Sequence, residues 1–366
     1  MHCPAKIARP VPPAHPEQSA MQNTIGIETI TSYFPDEVVR PGDFAYLAGV
    51  LPDNVRGPDE MRRFRHPLAA ELMAEAVARK ALDRAGLEAR DIDLILTQNI
   101  GGRLVMPGLG THVHHVLGFP RPVPAWNVQT SCASLVDGCE LARNLVLAGN
   151  YRRVLLVTVT ALHTGGWGVD HSTPFAVGTG DGAGACVVSD RNVEFEILAY
   201  ANHTFGETYD DCAIDCGAPQ HPELLASGNV TRNACGLHMT SKFFQWVNET
   251  AGKSFAADII RPALERAGLT LGDLDFVIPH QVLKEMADYW VAGLIEAGLR
   301  PESWRDTWNR YGNIGAVDIA ATLSELADTG ALQRGALLAF FAPGAGGHTP
   351  AMIVRWLGAQ RSGQRA

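Results

Sequence analysis

The chain repeats itself. RKALDRAGLEARDIDLIL (79–96) aligns with RPALERAGLTLGDLDFVI (261–278), with nine of eighteen positions identical, where typical residue usage gives about one by chance. The same offset of 182 sets Trp126-Asn127 against Trp308-Asn309 and VLLVT (154–158) against ALLAF (336–340). Two copies of one unit are expected, because a fixed offset is the signature of a structural repeat. Each copy reads as helix, strand, variable connection, strand-to-helix turn, helix and strand. That alternation predicts mainly parallel sheets covered by helices, and the strands lack alternation as if buried on both faces. A division near 190–200 follows, giving halves of 25–195 and 196–366. The proline-rich segment 1–24 is expected to be a disordered extension. Residues 201–240, rich in glycine and histidine, read as an irregular insertion that lines or covers a site.

The duplication locates chemistry, since ligands of open α/β sheets gather at the carboxyl ends of strands. Cys132 follows the strand WNV and opens a helix whose apolar positions Leu135, Val136, Cys139, Ala142 and Val146 recur at three and four residue steps up to Gly149. A helix start favours the thiolate, the reactive form of cysteine. Free cysteine is also among the most buried residue types, so position alone leaves Cys132 either a nucleophile or a packed thiol. In the second copy the matching turn is WNRYGNIGAVDIAATL, where the constant offset pairs Asn313 with Ser131 and Ile314 with Cys132. The strand DFVIPHQ ends at His280, which pairs with Gln98. Cys132, His280 and Asn313 therefore fall at strand ends of two related units and can meet at one pocket.

Other classes are set aside by composition. Thirty basic against 39 acidic residues, a net charge of -9, leave no basic footprint for nucleic acid. No apolar run reaches the length of a membrane span, and no signal-peptide core stands at the N-terminus, so a cytoplasmic location is expected. Seven scattered cysteines do not form a disulfide framework. Cys212 and Cys216 make one C-x3-C with no second pair, although His203 and His221 lie near, and no metal site is expected.

TSCAS (130–134), GTGDGAGACVVSD (178–190), IPHQ (278–281), GNIGA (312–316) and PGAGGHTPAMIVRW (343–356) together resemble the thiolase superfamily. The nearest likeness is to β-ketoacyl-acyl carrier protein synthase III and its secondary-metabolism relatives, over nearly all of 25–357. The resemblance implies an α/β fold, a duplicated five-layered α/β/α/β/α sandwich, usually a homodimer. It implies that Cys132 takes an acyl group from coenzyme A or a phosphopantetheinyl carrier protein, with no resident cofactor. His280 and Asn313 would steady the enolate of a decarboxylating malonyl unit. The backbone N–H groups of Cys132 and Ala345 would hold the oxyanion. GDGAGA is then a tight turn near the site rather than a phosphate loop.

The departures concern donor recognition. PDNVRGPDEMRRFRHP lacks the tryptophan and the Arg-Thr-Gly-Ile segment of the fatty-acid enzymes, Val282-Leu283 replaces Ala-Asn after IPHQ, and GNIGAVD replaces a run of small residues, Ser-Ala-Ala-Ser. Arg62, Arg63, Arg65 and Lys284 are candidate contacts for the carrier. The expected activity is carbon–carbon condensation from acyl-Cys132. The alternatives are acyl transfer to an amine or hydroxyl, a non-catalytic partner subunit, and a cysteine hydrolase. Retention of Cys132, His280 and Asn313 together favours condensation.

Overall fold

The computed structural model describes residues 24–40, 42–43, 56–163, 167–169, 175–215 and 235–359. The expected N-terminal extension lies outside them apart from Ile25's neighbour Thr24, as do Cys216 and His221.

The first half runs β1 (Gly26–Tyr33), the short ribbon β2 (Val38–Val39) and β3 (Met61–Arg62), then α1 (Ala69–Ala85), β4 (Leu94–Gly101), α2 (Gly110–Val116), β5 (Ala125–Asn127), α3 (Ser134–Leu147), β6 (Arg153–Ala161), β7 (Trp167–Val169) and β8 (Gly182–Ser189). The second runs β9 (Phe195–Thr204), β10 (Cys212–Asp215), β11 (Cys235–Met239), α4 (Phe255–Ala267), β12 (Phe276–Pro279), α5 (Lys284–Glu296), α6 (Asp318–Asp328), β13 (Leu337–Phe341) and β14 (His348–Trp356). The aligned helices α1 and α4 end alike. Gly86 and Gly268 take left-handed φ angles of 63° and 67° and close each helix by backbone bonds to its last carbonyls, a conformation glycine adopts at little cost.

Nine strands form one sheet in the order β12-β13-β14-β9-β1-β8-β6-β4-β5. The two halves meet where Gly26 pairs with Glu196 and Ile27 with Phe195. The sheet corrects the expectation of mainly parallel strands: five of its eight neighbouring pairs are antiparallel. The β13–β14 connection shows why. It has too few residues for a crossover helix, so the chain must turn straight back.

Five layers follow from the apolar stripes. Val77 and Ala81 of α1 pack on Ile95 and Leu155 at one outer face. Ile260 and Ala263 of α4 and Trp290 of α5 cover Val277 and Ala339 at the other. Between the half-sheets lie α3 and α6, whose Leu135, Val136, Ile319 and Leu323 share a core with Leu156 and Phe340. Among the described residues no helix is long and apolar enough to cross a membrane.

The repeat is real, but its offset is not constant. The value of 182 holds from α1 and α4 through Gln98 and His280. After that the second copy uses two more residues. Ile95 pairs with Leu155 where Val277 pairs with Ala339, an offset of 184 across the second strand. Ser131 (φ 58°) and Gly315 (φ 60°) begin matching 3-10 turns. Gly315 is therefore the counterpart of Ser131, and Ala316 that of Cys132. The likeness of WNV and WNR is not structural. Trp126 lies in β5, whereas Trp308–Tyr311 is a helical turn, and the strand beside β12 shrinks to a single bridge between Val277 and Trp304.

Residues 201–240 are also more regular than expected where they are described. They finish β9 and build β10 and β11, which form a three-stranded sheet with β7.

Candidate active site

Cys132 stands in the 3-10 turn Ser131–Ala133, one turn ahead of the α-helix proper at Ser134. Polar side chains fix this turn. Ser134 Oγ accepts the Thr130 N–H at 2.9 Å and donates to the Ser131 carbonyl at 2.7 Å. Gln129 Oε1 accepts the Ser131 N–H at 3.0 Å and an amide hydrogen of Gln98 at 3.2 Å. Thus Gln98, the first-copy partner of His280, braces the nucleophile turn rather than the nucleophile.

The terminal glycine turn closes over it. A Cβ on Gly344 would lie 3.1 Å from the Ala133 nitrogen and 3.2 Å from the Thr130 carbonyl oxygen, so the two backbones touch as only glycine allows. Ala345 follows, and its N–H donates to Ser131 Oγ at 3.1 Å.

His280 extends β12 by giving its backbone N–H to the Phe341 carbonyl at 2.7 Å. Its Nδ1 lies 2.6 Å from Asp318 Oδ2 at the start of α6. Its ring lines the same cavity as Cys132 and is the chief influence lowering the thiol. Asn313 sits beside the GTGDGAGA turn, donating its backbone N–H to the Gly178 carbonyl at 2.7 Å and accepting from Gly180 at 3.0 Å. Its Nδ2 donates to the Val282 carbonyl at 3.1 Å and its Oδ1 accepts the Gly315 N–H at 2.9 Å. With one Nδ2 hydrogen engaged, the other is available to a substrate.

Cys132, His280, Asn313 and Ala345 all line one cavity of about 470 Å³. The rest of its wall is largely apolar, with Leu162, Leu237, Met239, Val247, Phe255 and Trp290 among the lining. Trp246, Phe255 and Trp290 are in aromatic contact, Trp246 meeting Phe255 nearly edge to face at 5.5 Å. Ile100, Val105, Thr208, Tyr209, Cys212, Ala213 and Ile214 also contribute, the last five from the segment expected to line or cover a site.

Burial pushes the Cys132 thiol up, but the charge and hydrogen bond of His280, with help from Ser131, outweigh it and leave the thiol below its ordinary range. Burial pulls His280 down, while the Cys132 thiolate and Asp318 carboxylate raise it to about 10. Cys212, a second free thiol on the cavity wall, is pushed up by burial. Cys139 is buried in the core, 3.7 Å from Cys186, and does not line the cavity.

The candidate carrier contacts do not join this group. Arg62 pairs with Glu60 at 3.0 Å, Lys284 with Asp288 at 2.7 Å and Arg65 with Glu37 at 3.2 Å, and neither these nor Arg63 line the cavity. Sequence reading missed Asp318. Its signal was the acidic residue ending GNIGAVD, noted as a departure but not read as a charge aimed at His280.

A duplicated thiolase-type sandwich with cysteine, histidine and asparagine around one apolar cavity defines the class: condensing enzymes that handle acyl thioesters through a cysteine. Comparison with known proteins agrees. The family model described as 3-oxoacyl-[acyl-carrier-protein (ACP)] synthase III matches residues 126–206, and its C-terminal counterpart matches 264–356. The chain is 31% identical to β-ketoacyl-[acyl-carrier-protein] synthase III of Roseobacter denitrificans over 334 residues, covering 88% of this chain and 96% of the relative. It is 31% identical to the synthase III of Roseiflexus castenholzii over 314 residues, covering 84% and 87%. The crystal structure of the synthase III from Thermus thermophilus superposes with a TM-score of 0.76 at 25% identity, over 91% of this chain and all of that one. The chain belongs to the β-ketoacyl-[acyl-carrier-protein] synthase III family.

Proposed function

We propose that Cys132 is the acyl-accepting nucleophile of a condensation between an acyl thioester and a malonyl-type thioester. The observation that carries this reading is the convergence of Cys132, His280, Asn313 and the Ala345 N–H on one cavity. The Cys132 thiolate attacks the thioester carbonyl, and the tetrahedral oxyanion is held by the N–H groups of Cys132 and Ala345. The carrier leaves as a thiolate, which water protonates. In the second half, the malonyl carboxylate departs as carbon dioxide and its electron pair forms an enolate. His280 and Asn313 hydrogen-bond the enolate oxygen. The carbanion attacks the acyl carbonyl, a carbon–carbon bond forms, and the Cys132 thiolate is expelled for the next cycle.

The apolar wall suits the acyl chain. The carrier is coenzyme A or a phosphopantetheinyl protein, with Arg62, Arg63 and Lys284 as its contacts; Arg62 and Lys284 reach it by exchanging Glu60 and Asp288. The chain works as a homodimer in the cytoplasm, in secondary metabolism, with halves divided at 195/196.

Intact-mass spectrometry after incubation with a panel of acyl thioesters tests the reading. An acyl adduct is expected on the native protein and not on Cys132→Ala. An adduct that persists in the variant, or none on the native protein, rejects it. Product analysis with malonyl and non-malonyl acceptors then separates condensation from simple transfer.

A further inference from the structure

Asp318 is fully buried at the start of α6, and both its oxygens are held by donors. Oδ2 accepts the Gln281 N–H at 2.9 Å and faces His280 Nδ1 at 2.6 Å, while Oδ1 accepts the Ile314 N–H at 3.2 Å. A backbone N–H can only donate, so this cradle is built for the carboxylate, and the carboxylate requires a proton on His280 Nδ1. Cys132 shares the cavity with the histidine and its thiolate raises it, so the resting ring feels two anions, Asp318 in contact and Cys132 across the cavity.

Acylation changes this balance. Once the Cys132 thiolate becomes a thioester, one of the two anions facing His280 is gone and Asp318 remains. We propose that Asp318 is a positioning residue that keeps His280 an imidazolium through the second half-reaction, so that a charged N–H meets the thioester carbonyl of the malonyl-type unit. The inference rests on the reading of Cys132, His280 and Asn313 above.

A charge-assisted hydrogen bond is roughly twice as strong as a neutral one, and it is directed where negative charge develops as carbon dioxide leaves. No proton needs to move. The enolate takes its electrons from the broken carbon–carbon bond, and His280 ends the step as it began. Burial of His280 opposes its charge, and in the resting site the Cys132 thiolate supports it most, with Asp318 beside it; after acylation the 2.6 Å contact with Asp318 is the support that remains. Among the described residues, the other titratable side chains lining the cavity are Tyr209, Cys212 and His348, none of which is a carboxylate.

Two measurements decide the matter. In Cys132→Ala, which leaves Asp318 intact and removes the thiolate, nitrogen-15 NMR of His280 is expected to show both ring nitrogens protonated at about pH 7.5. A neutral ring there, titrating near the ordinary ~6.5, overturns the proposal. In single-turnover condensation from preformed acyl-Cys132, Asp318→Asn is expected to be slowed tenfold or more at about pH 8 and to recover toward the native rate near pH 6. A purely structural role would slow the variant equally at every pH, and parallel profiles also overturn the proposal. Failure to form any acyl-Cys132 rejects the parent reading instead, and the NMR result is read separately from it.

Discussion

The hydroxyl of Ser131 accepts the backbone N–H of Ala345 at 3.1 Å and lies 3.9 Å from the sulfur of Cys132. One side chain thus ties the nucleophile turn to the terminal glycine turn. Ser131→Ala removes a bond worth about 1 kcal/mol, and a small fall in melting temperature is expected. It also removes one of the influences that lower the Cys132 thiol. The acid limb of Cys132 alkylation by iodoacetamide should therefore move to higher pH. An unmoved limb would deny Ser131 any part in activating the thiol.

Gly344→Ala tests the contact between the same two turns. Its φ of -117° suits any residue, so the effect comes from the added methyl group at 3.1 Å from the Ala133 nitrogen. The turns must separate by a few tenths of an ångström, carrying the Ala345 N–H with them. Loss of one oxyanion donor costs about 10²–10³ in kcat, and partial displacement should cost about tenfold with KM little changed. Native turnover in this variant would exclude the Ala345 N–H as a donor.

Leu237 lines the cavity from β11. Leu237→Trp fills acyl space without touching Cys132 or His280, so KM for long acyl thioesters should rise about tenfold or more while acetyl transfer continues. Competition assays with a chain-length series would show it. Equal effects at every length would place the acyl chain elsewhere.

Glu194 is only 7% exposed, and one of its carboxyl oxygens has no hydrogen-bond partner among the described residues. Burial, opposed by Arg84 and reinforced by Asp328 and Glu28, raises its carboxyl from 4.5 to about 7. The folded chain then binds more protons than the unfolded one between those values. Its contribution to stability is whole below about pH 4.5 and is lost as pH rises through about 7. Glu194→Gln should gain up to roughly 3 kcal/mol near pH 8 and little at pH 4.5. Denaturant melts at the two pH values measure this, and an equal gain at both would refute it.

The sequence disclosed the repeated unit and the residues at its strand ends, because helix caps and buried strands leave local marks: RAGL recurs with its capping glycine, and Cys132 precedes a clear apolar stripe. It did not disclose the register beyond His280. Two extra residues and a strand reduced to one bridge are settled by tertiary packing, and the chance likeness of Trp126-Asn127 to Trp308-Asn309 hid the shift. Antiparallel return at β14 was likewise invisible in apolar runs that read the same in either direction. Asp318 was overlooked because its meaning depends on a partner 38 residues away, a distance no spacing rule covers. The candidate carrier cations show the converse: charge is plain in sequence, while the acids beside Arg62, Arg65 and Lys284 are not.

The two halves are hydrogen-bonded at β1 against β9 and again at β7 against β11, and the site takes Cys132 from the first half and His280, Asn313 and Asp318 from the second. A hinge there would have to break ladder bonds between buried strands. In hydrogen-exchange terms, the amides of β1 and β9 should open only with the whole molecule, so the chemistry of this protein is as cooperative as its folding.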